Sequence, residues 1–173
     1  MGNLAKQWNN PLALIQKKPD NWNGLVGVTS GGFLKFASVS LGARAGYINL
    51  VNTYLSRGRN TIAQIIPIYA PKGHGANNPD AYISALSKFT GIGPNEKIKP
   101  NQLFKLGLGI ARVELGFHPN ESEMRSGFNL ALKRIGIIYD TGASDEKKKT
   151  FSSKNNLLLP LIGLGFGLYF INN

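Results

Sequence analysis

The sequence predicts a mainly helical α+β domain with one small β-hairpin, followed by a hydrophilic tail and an apolar C-terminal segment. Several stretches carry apolar residues at helical spacing, begin at a capping residue or a proline and end at glycine. One pair of short β-prone runs flanks a glycine-containing turn. Near the C-terminus, residues 157–171 carry no charge. We therefore expect one domain over residues 1–140, a tether over 141–156 and a transmembrane anchor over 157–171.

The first predicted elements are the hairpin and a helix. Residues 25–28 and 33–36 are rich in β-prone side chains and flank the turn-forming sequence 29–32. Apolar residues between Leu41 and Leu55 then follow helical spacing, and Gly58 is a suitable end for that helix.

Two further helices are predicted near prolines. Asn60 is a suitable cap for a short helix that Pro67 is expected to interrupt, because proline lacks the N–H that a helix interior needs. The sequence Asn-Pro-Asp at 78–80 is a strong start signal for the next helix. That helix is expected to end at Gly91 and to bury four side chains: Tyr82, Ile83, Leu86 and Phe89.

The last predicted helices follow Pro100. The first of them has an apolar stripe at helical spacing, formed by Leu103, Leu106, Ile110, Val113 and Phe117. Residues 122–139 are predicted to form another helix, although the sequence RIGIIYD at 134–140 is equally compatible with a strand.

The composition limits the chemistry. The chain has 20 Lys and Arg against 9 Asp and Glu, a net charge of +11, with two histidines and no cysteine. Disulfides, thiolate catalysis and histidine-rich metal centres are therefore excluded, and we expect neither a metal nor a cofactor. A basic surface suits nucleic acid, anionic lipid or an anionic wall polymer, and charge alone does not choose among them.

The apolar run 157–171 has two interpretations. A helix of this length spans about 22 Å, which is less than the hydrocarbon core of about 30 Å, so a buried core element is one of them. The lysine-rich flank at 147–149, Tyr169 near the end, and the small residues Gly163 and Gly167 favour a membrane anchor.

Among the nine carboxylates, Glu114 has the most unusual setting. It lies four residues after Ile110 and eight after Leu106, so it borders the apolar stripe of its helix. It also precedes the predicted helix end at Gly116, where the negative end of the helix dipole disfavours a carboxylate. Burial and dipole both raise a carboxyl pKa, as a general acid requires. Alternatively, the carboxylate reaches solvent or a nearby arginine at the edge of the stripe.

The sequence around Glu114 resembles a known catalytic helix. The sequence Ile110–Pro119 is similar to the helix that carries the single catalytic glutamate of soluble lytic transglycosylases and goose-type lysozymes, typically Ala-x-x-x-Glu-Ser-Gly-Phe-x-Pro. Leu115 stands where that pattern has serine. The resemblance implies that Glu114 protonates a glycosidic oxygen.

A second resemblance covers roughly residues 9–118. The following motifs occur in this order along the chain: Asn9-Asn10-Pro11, Trp22, Gly42-x-Arg44-Ala45, Thr61-Ile62, Tyr69-Ala70-Pro71, Ala81-Tyr82-Ile83 and Glu114. Their order resembles that in a family of small phage and prophage proteins, which are described as virion-associated lytic proteins with a lysozyme-like domain. The chain has Leu12 and Ala13 where that family has Gly-Asn, and Tyr69 where it has tryptophan.

The resemblance implies a saccharide site around Glu114. Transglycosylases need no second carboxylate because a sugar hydroxyl attacks, whereas a hydrolase would need a partner. Three tyrosines could line the groove: Tyr47, Tyr69 and Tyr82. Asn9 and Asn10 could bind N-acetyl groups, and Asp80 is the candidate acid partner. Each has an ordinary alternative: half-buried core for the tyrosines, a turn before Pro11 for the asparagines and a helix start for Asp80.

The sequence as a whole predicts a peptidoglycan lytic transglycosylase held in the internal membrane of a phage virion by its C-terminus. The expected partners are peptidoglycan, a lipid membrane and capsid proteins of the virion, with no specific nucleic acid. One alternative is a noncatalytic virion membrane protein that binds capsid, wall or genome. Another is a host cell-wall enzyme held at the inner membrane.

Overall fold

The protein has a mainly helical α+β fold in a computed structural model that describes residues 7–16, 21–73 and 77–136. The predicted class, mainly helical with a small two-stranded sheet, is confirmed. Within the described residues, a hairpin precedes five α-helices: β1 Leu25–Val28, β2 Leu34–Phe36, α1 Val39–Asn49, α2 Ile62–Tyr69, α3 Pro79–Thr90, α4 Leu103–Leu115 and α5 Glu121–Ile135. No helix in this part of the chain is long and apolar enough to cross a membrane.

The hairpin forms where the sequence predicted it. Strands β1 and β2 pair antiparallel, with Val28 opposite Leu34. The hydroxyl of Thr29 accepts a hydrogen bond from the Phe33 N–H, which closes the turn. An isolated bridge between Ile15 and Phe33 adds the N-terminal segment to this small sheet.

Helix α1 continues into a wider turn. Ser38 caps its start by accepting a hydrogen bond from the Leu41 N–H. A π-helical turn at Leu50–Tyr54 and a 3₁₀ turn at Leu55–Arg57 follow without a break. The segment ends at Gly58, as predicted.

Helix α2 corrects two expectations. Its cap is Thr61, which accepts from the Gln64 N–H, and not Asn60. Pro67 does not interrupt the helix, which continues to Tyr69. Proline removes one backbone hydrogen bond, but the helix also has three fully buried isoleucines that hold it against the core: Ile62, Ile65 and Ile66.

The later helices mostly follow the sequence signals. Asn78 caps α3, and Gly91 and Gly116 end α3 and α4. Two predicted core residues are wrong: Phe89 is 36% exposed, and Phe117 lies beyond the end of α4 and is 43% exposed. Once α4 has ended, its helical spacing no longer sets the direction of Phe117.

Helix α5 resolves the remaining alternative where the structure describes it. The helical interpretation is correct as far as Ile135, but Gly136, in left-handed backbone, ends the helix before the predicted end at residue 139. Residues 137–140, the tether and the predicted anchor lie outside the described residues.

The core is built around α1 and α5. A Cβ atom at Gly127 of α5 would lie 2.4 Å from the Ser40 carbonyl oxygen of α1, so only glycine permits this close approach of the two helices. Tyr47 of α1 is fully buried between Phe104 and Phe128, with ring centroids 6.2 and 4.9 Å away. This packing holds α4, and therefore its last turn, in place.

Candidate functional site

Glu114 lies in the last turn of α4, where the sequence placed it. Its side chain is partly buried against α3, and the Tyr82 hydroxyl donates a 2.9 Å hydrogen bond to its Oε1 atom. Burial raises the pKa of Glu114, and the hydrogen bond from Tyr82 opposes that rise. The carboxyl is therefore both desolvated and oriented, the two properties that general acid catalysis uses.

Three tyrosines extend from Glu114 across α3, α2 and the π-helical turn. The ring centroids of Tyr82 and Tyr69 are 6.2 Å apart, and those of Tyr69 and Tyr54 are 6.1 Å apart. Burial raises the pKa of Tyr69 and Tyr82 well above the usual tyrosine value, and Glu114 acts in the same direction. Both phenols therefore remain hydrogen-bond donors at neutral pH. We call Glu114, Tyr82, Tyr69 and Tyr54 the acid–tyrosine cluster.

The N-terminal turn reaches this cluster through its backbone. The Tyr69 hydroxyl donates a hydrogen bond to the Leu12 carbonyl. In the same turn Ala13 has φ of 48°, in the left-handed region where residues other than glycine and asparagine are uncommon. The cluster therefore connects α4 to the N-terminal segment through two tyrosines.

Asn9 and Asn10 hold this turn together. Asn10 is fully buried: its amide donates to the carbonyls of Leu14 and Leu34, both at 3.0 Å, and its Oδ1 accepts from the Leu14 N–H. The Asn9 amide donates to the Phe36 carbonyl, also at 3.0 Å. With no exposed surface, Asn10 cannot contact a sugar in this conformation, so we do not place it in the site. The hydrogen bonds of both asparagines fit the alternative in which they form a turn before Pro11 better than they fit a role in binding N-acetyl groups.

Tyr47 and Asp80 also lie apart from Glu114. Tyr47 has no exposed surface, and its hydroxyl donates to the Phe104 carbonyl, so it belongs to the core and not to a groove. Asp80 is exposed in the first turn of α3. Because it is two residues from Tyr82, it projects about 200° away from it around the helix. Because Tyr82 faces Glu114, Asp80 lies on the other side of α3.

Tyr54 is the member of the cluster that sequence reasoning missed. Tyr47 and Tyr54 are seven residues apart, so a regular α-helix would place them on nearly the same face. The π-helical turn at Leu50–Tyr54 adds a residue to the helix and changes that register. Both tyrosines are buried in the same core, where Tyr47 packs against Phe128 and Tyr54 contacts Tyr69. No signal in the sequence marks this turn.

Two neighbouring clefts lie beside the C-terminal parts of α3 and α4. Their volumes are about 130 and 340 Å³, and both are lined by Phe89, Arg112 and His118. Glu114 is not among the lining residues of either cleft. In the described part of the chain, no group of three or more histidine or acidic residues is arranged to hold a metal ion.

Neither models of known protein families nor curated proteins match this chain. The acid–tyrosine cluster draws its four members from four helical segments: Glu114 from α4, Tyr82 from α3, Tyr69 from α2 and Tyr54 from the π-helical turn.

Proposed function

We propose that this domain is a lysozyme-like enzyme that cleaves the glycan strands of peptidoglycan, with Glu114 as its general acid and base. The observation that carries the proposal is the partly buried carboxyl of Glu114, oriented by Tyr82 and with a raised pKa. A carboxyl in this state holds its proton closer to neutral pH than an exposed glutamate does. The resemblance of Ile110–Pro119 to the catalytic helix of lytic transglycosylases supports the same role.

The arrangement favours transglycosylation over hydrolysis. Glu114 would donate its proton to the glycosidic oxygen as the bond from that oxygen to the anomeric carbon breaks. The resulting carboxylate would then accept the proton of the sugar hydroxyl that attacks the same carbon, which closes an anhydro ring. Asp80, the candidate partner for a hydrolytic water, lies about 200° around α3 from Tyr82, the residue that bonds to Glu114. The expected product therefore ends in an anhydro sugar.

The cellular setting is part of the proposal and comes from the sequence. Residues 157–171 would anchor the enzyme in the internal membrane of a phage virion, with 141–156 as the tether. Its partners would be peptidoglycan at genome entry, the membrane lipid and neighbouring capsid proteins. A host enzyme held at the inner membrane would have the same layout. Deletion of 157–173 should release a folded domain from membranes, and aggregation of the truncated protein would contradict the anchor.

The test is cleavage of purified peptidoglycan by Glu114→Gln. This variant keeps the size of the side chain and removes its titratable proton, so activity should fall by about 10²-fold or more. Glu123→Gln, in the first turn of α5, is the matched control and should retain activity. Mass spectrometry of the products should detect anhydro ends. Undiminished cleavage by Glu114→Gln would refute the assignment.

A noncatalytic virion membrane protein is the second candidate. It is favoured by the position of the two clefts, neither of which is lined by Glu114. It is also favoured by the amide of Asn10, which is used entirely within the fold. Wild-type protein that leaves peptidoglycan intact, but binds virion components, would establish this candidate.

A further inference from the structure

The β-hairpin carries an exposed apolar surface on the side away from the core. The inward side chains of β2, Leu34 and Phe36, are 0% and 2% exposed. Phe33 and Lys35 alternate with them and therefore lie on the opposite face. We call this outer surface the hairpin face and define it by five residues: Trp8, Ile15, Val26, Phe33 and Lys35.

Contacts within the hairpin face bring its members together. Ile15 pairs with Phe33 in the isolated bridge, and the rings of Trp8 and Phe33 are 5.7 Å apart. The Lys35 Nζ atom lies 5.4 Å from the centre of the Trp8 ring. Val26 stands at a bulge next to Gly27, which pairs with Lys35. Trp8, Ile15, Phe33 and Lys35 therefore form one continuous patch, and Val26 stands next to it in the neighbouring strand.

The exposure of two aliphatic side chains on this patch is high. Ile15 is 55% exposed and Val26 is 65% exposed. β-Branched aliphatic side chains offer neither hydrogen bonds nor a flat ring to a sugar, and they gain most from contact with hydrocarbon. The Trp8 ring already has Lys35 and Phe33 beside it, so it is not an open platform for a nucleic-acid base.

The described residues of the chain before Asp80 carry positive charges and no negative ones. Residues 1–79 contain eight lysines and arginines and a single acid, Asp20. Within that half, the described residues 7–16 and 21–73 contain no carboxylate side chain at all. An anionic surface that approaches the hairpin meets the Lys35 ammonium, and the described residues before Asp80 offer no carboxylate to repel it.

We propose that the hairpin face docks on an anionic lipid bilayer. Ile15 and Val26 enter the boundary between headgroups and acyl chains, and the Trp8 indole lies at the interface, where amphipathic rings are favoured. The Lys35 ammonium remains at the headgroup level on its long apolar stem. Docking would hold the domain against the membrane independently of residues 157–171, and it does not depend on the chemistry of Glu114.

Tryptophan fluorescence tests the docking on the full chain. Trp8 and Trp22 are the two tryptophans of the sequence, so Trp22→Phe leaves Trp8 as a reporter on the hairpin face. In vesicles of phosphatidylglycerol with brominated acyl chains, Trp8 emission should move to shorter wavelength and be quenched. Because Trp22 donates a hydrogen bond to Gln16, circular dichroism must show that the variant folds. Should it not fold, Trp8→Phe in the otherwise unchanged chain should lose the lipid-dependent quenching.

Matched variants locate the contact. Ile15→Ser should reduce Trp8 quenching at least about twofold, because a polar side chain gains nothing from hydrocarbon. Ile68→Ser is the control: Ile68 is 50% exposed but lies on α2, and its replacement should leave the quenching unchanged. Added salt should weaken the effect, since exposed charges are screened beyond about 8 Å at physiological ionic strength.

Three results would overturn the proposal. The first is Trp8 emission that is unchanged when the protein sediments with the vesicles, because the contact would then lie elsewhere. The second is an equal effect of Ile15→Ser and Ile68→Ser. The third is protection of Trp8 by soluble glycan fragments and not by lipid, which would make the hairpin face a saccharide platform.

Discussion

Replacement of Tyr82 by phenylalanine should destabilise the protein more at high pH than at low pH. The variant keeps the ring against Tyr69 and removes the hydroxyl that donates to Glu114 Oε1 at 2.9 Å. A hydrogen bond to a charged group contributes about 1.5–3 kcal/mol, and one between neutral groups about 0.5–1.5 kcal/mol. Glu114 is protonated below the ordinary glutamate pKa of about 4.3 and becomes ionised above its raised folded pKa.

The expected loss in the free energy of unfolding is therefore about 1 kcal/mol near pH 4 and about 2 kcal/mol near pH 8. For a domain of this size, each kcal/mol corresponds to a change of roughly 4 °C in Tm. Thermal melts followed by circular dichroism at the two pH values measure both losses. In peptidoglycan cleavage, the alkaline limb of the pH profile should also move to higher pH, because Glu114 must be protonated to act as the acid and the hydrogen bond that lowers its pKa is gone.

Tyr69→Phe is the matched control. The Tyr69 hydroxyl donates to the uncharged Leu12 carbonyl, so its removal should cost a similar amount at both pH values. Equal losses at low and high pH in Tyr82→Phe would mean that Glu114 is not charged while bonded to Tyr82. That result would refute the described role of Tyr82.

Three further substitutions, the last with a matched control, test the burial of Glu114 and the packing of the N-terminal turn. Glu114→Gln should remove a pH dependence of the free energy of unfolding. Because the pKa of Glu114 is raised in the folded state, the native protein binds more protons than the unfolded chain. The wild type therefore loses stability as pH rises from the ordinary glutamate pKa through the raised one. Urea unfolding across that window measures this slope, and an unchanged slope would contradict the burial of the carboxyl. Ala13→Gly should stabilise the protein by about 0.5–1 kcal/mol, because φ is 48° there and glycine adopts it without strain; a lower Tm would argue against that backbone. Gly42→Ala should destabilise by more than about 2 kcal/mol, because its Cβ would lie 1.9 Å from the Asn9 carbonyl oxygen, whereas Gly31→Ala meets only ordinary contacts and should change Tm little.

The sequence by itself determined where most helices begin and end. Asn78 caps α3, and Gly91 and Gly116 each end a helix in left-handed backbone. These signals are readable because a cap bonds to backbone groups two or three residues away and glycine tolerates positive φ without help from distant residues. The position of Glu114 in the last turn of α4 followed from the same local rules.

Only the tertiary structure decided which polar side chains meet. The π-helical turn sets the register at which Tyr54 contacts Tyr69, and the direction of Asp80 depends on which side of α3 packs against α4. The Asn10 side-chain amide donates its hydrogen bonds to backbone carbonyl groups, one of them that of the distant residue Leu34. Residues far apart in the chain make these contacts, and their geometry depends on helix register and packing, which no local pattern of residue types encodes. The acid–tyrosine cluster is therefore a product of the fold, although each of its members is visible in the sequence.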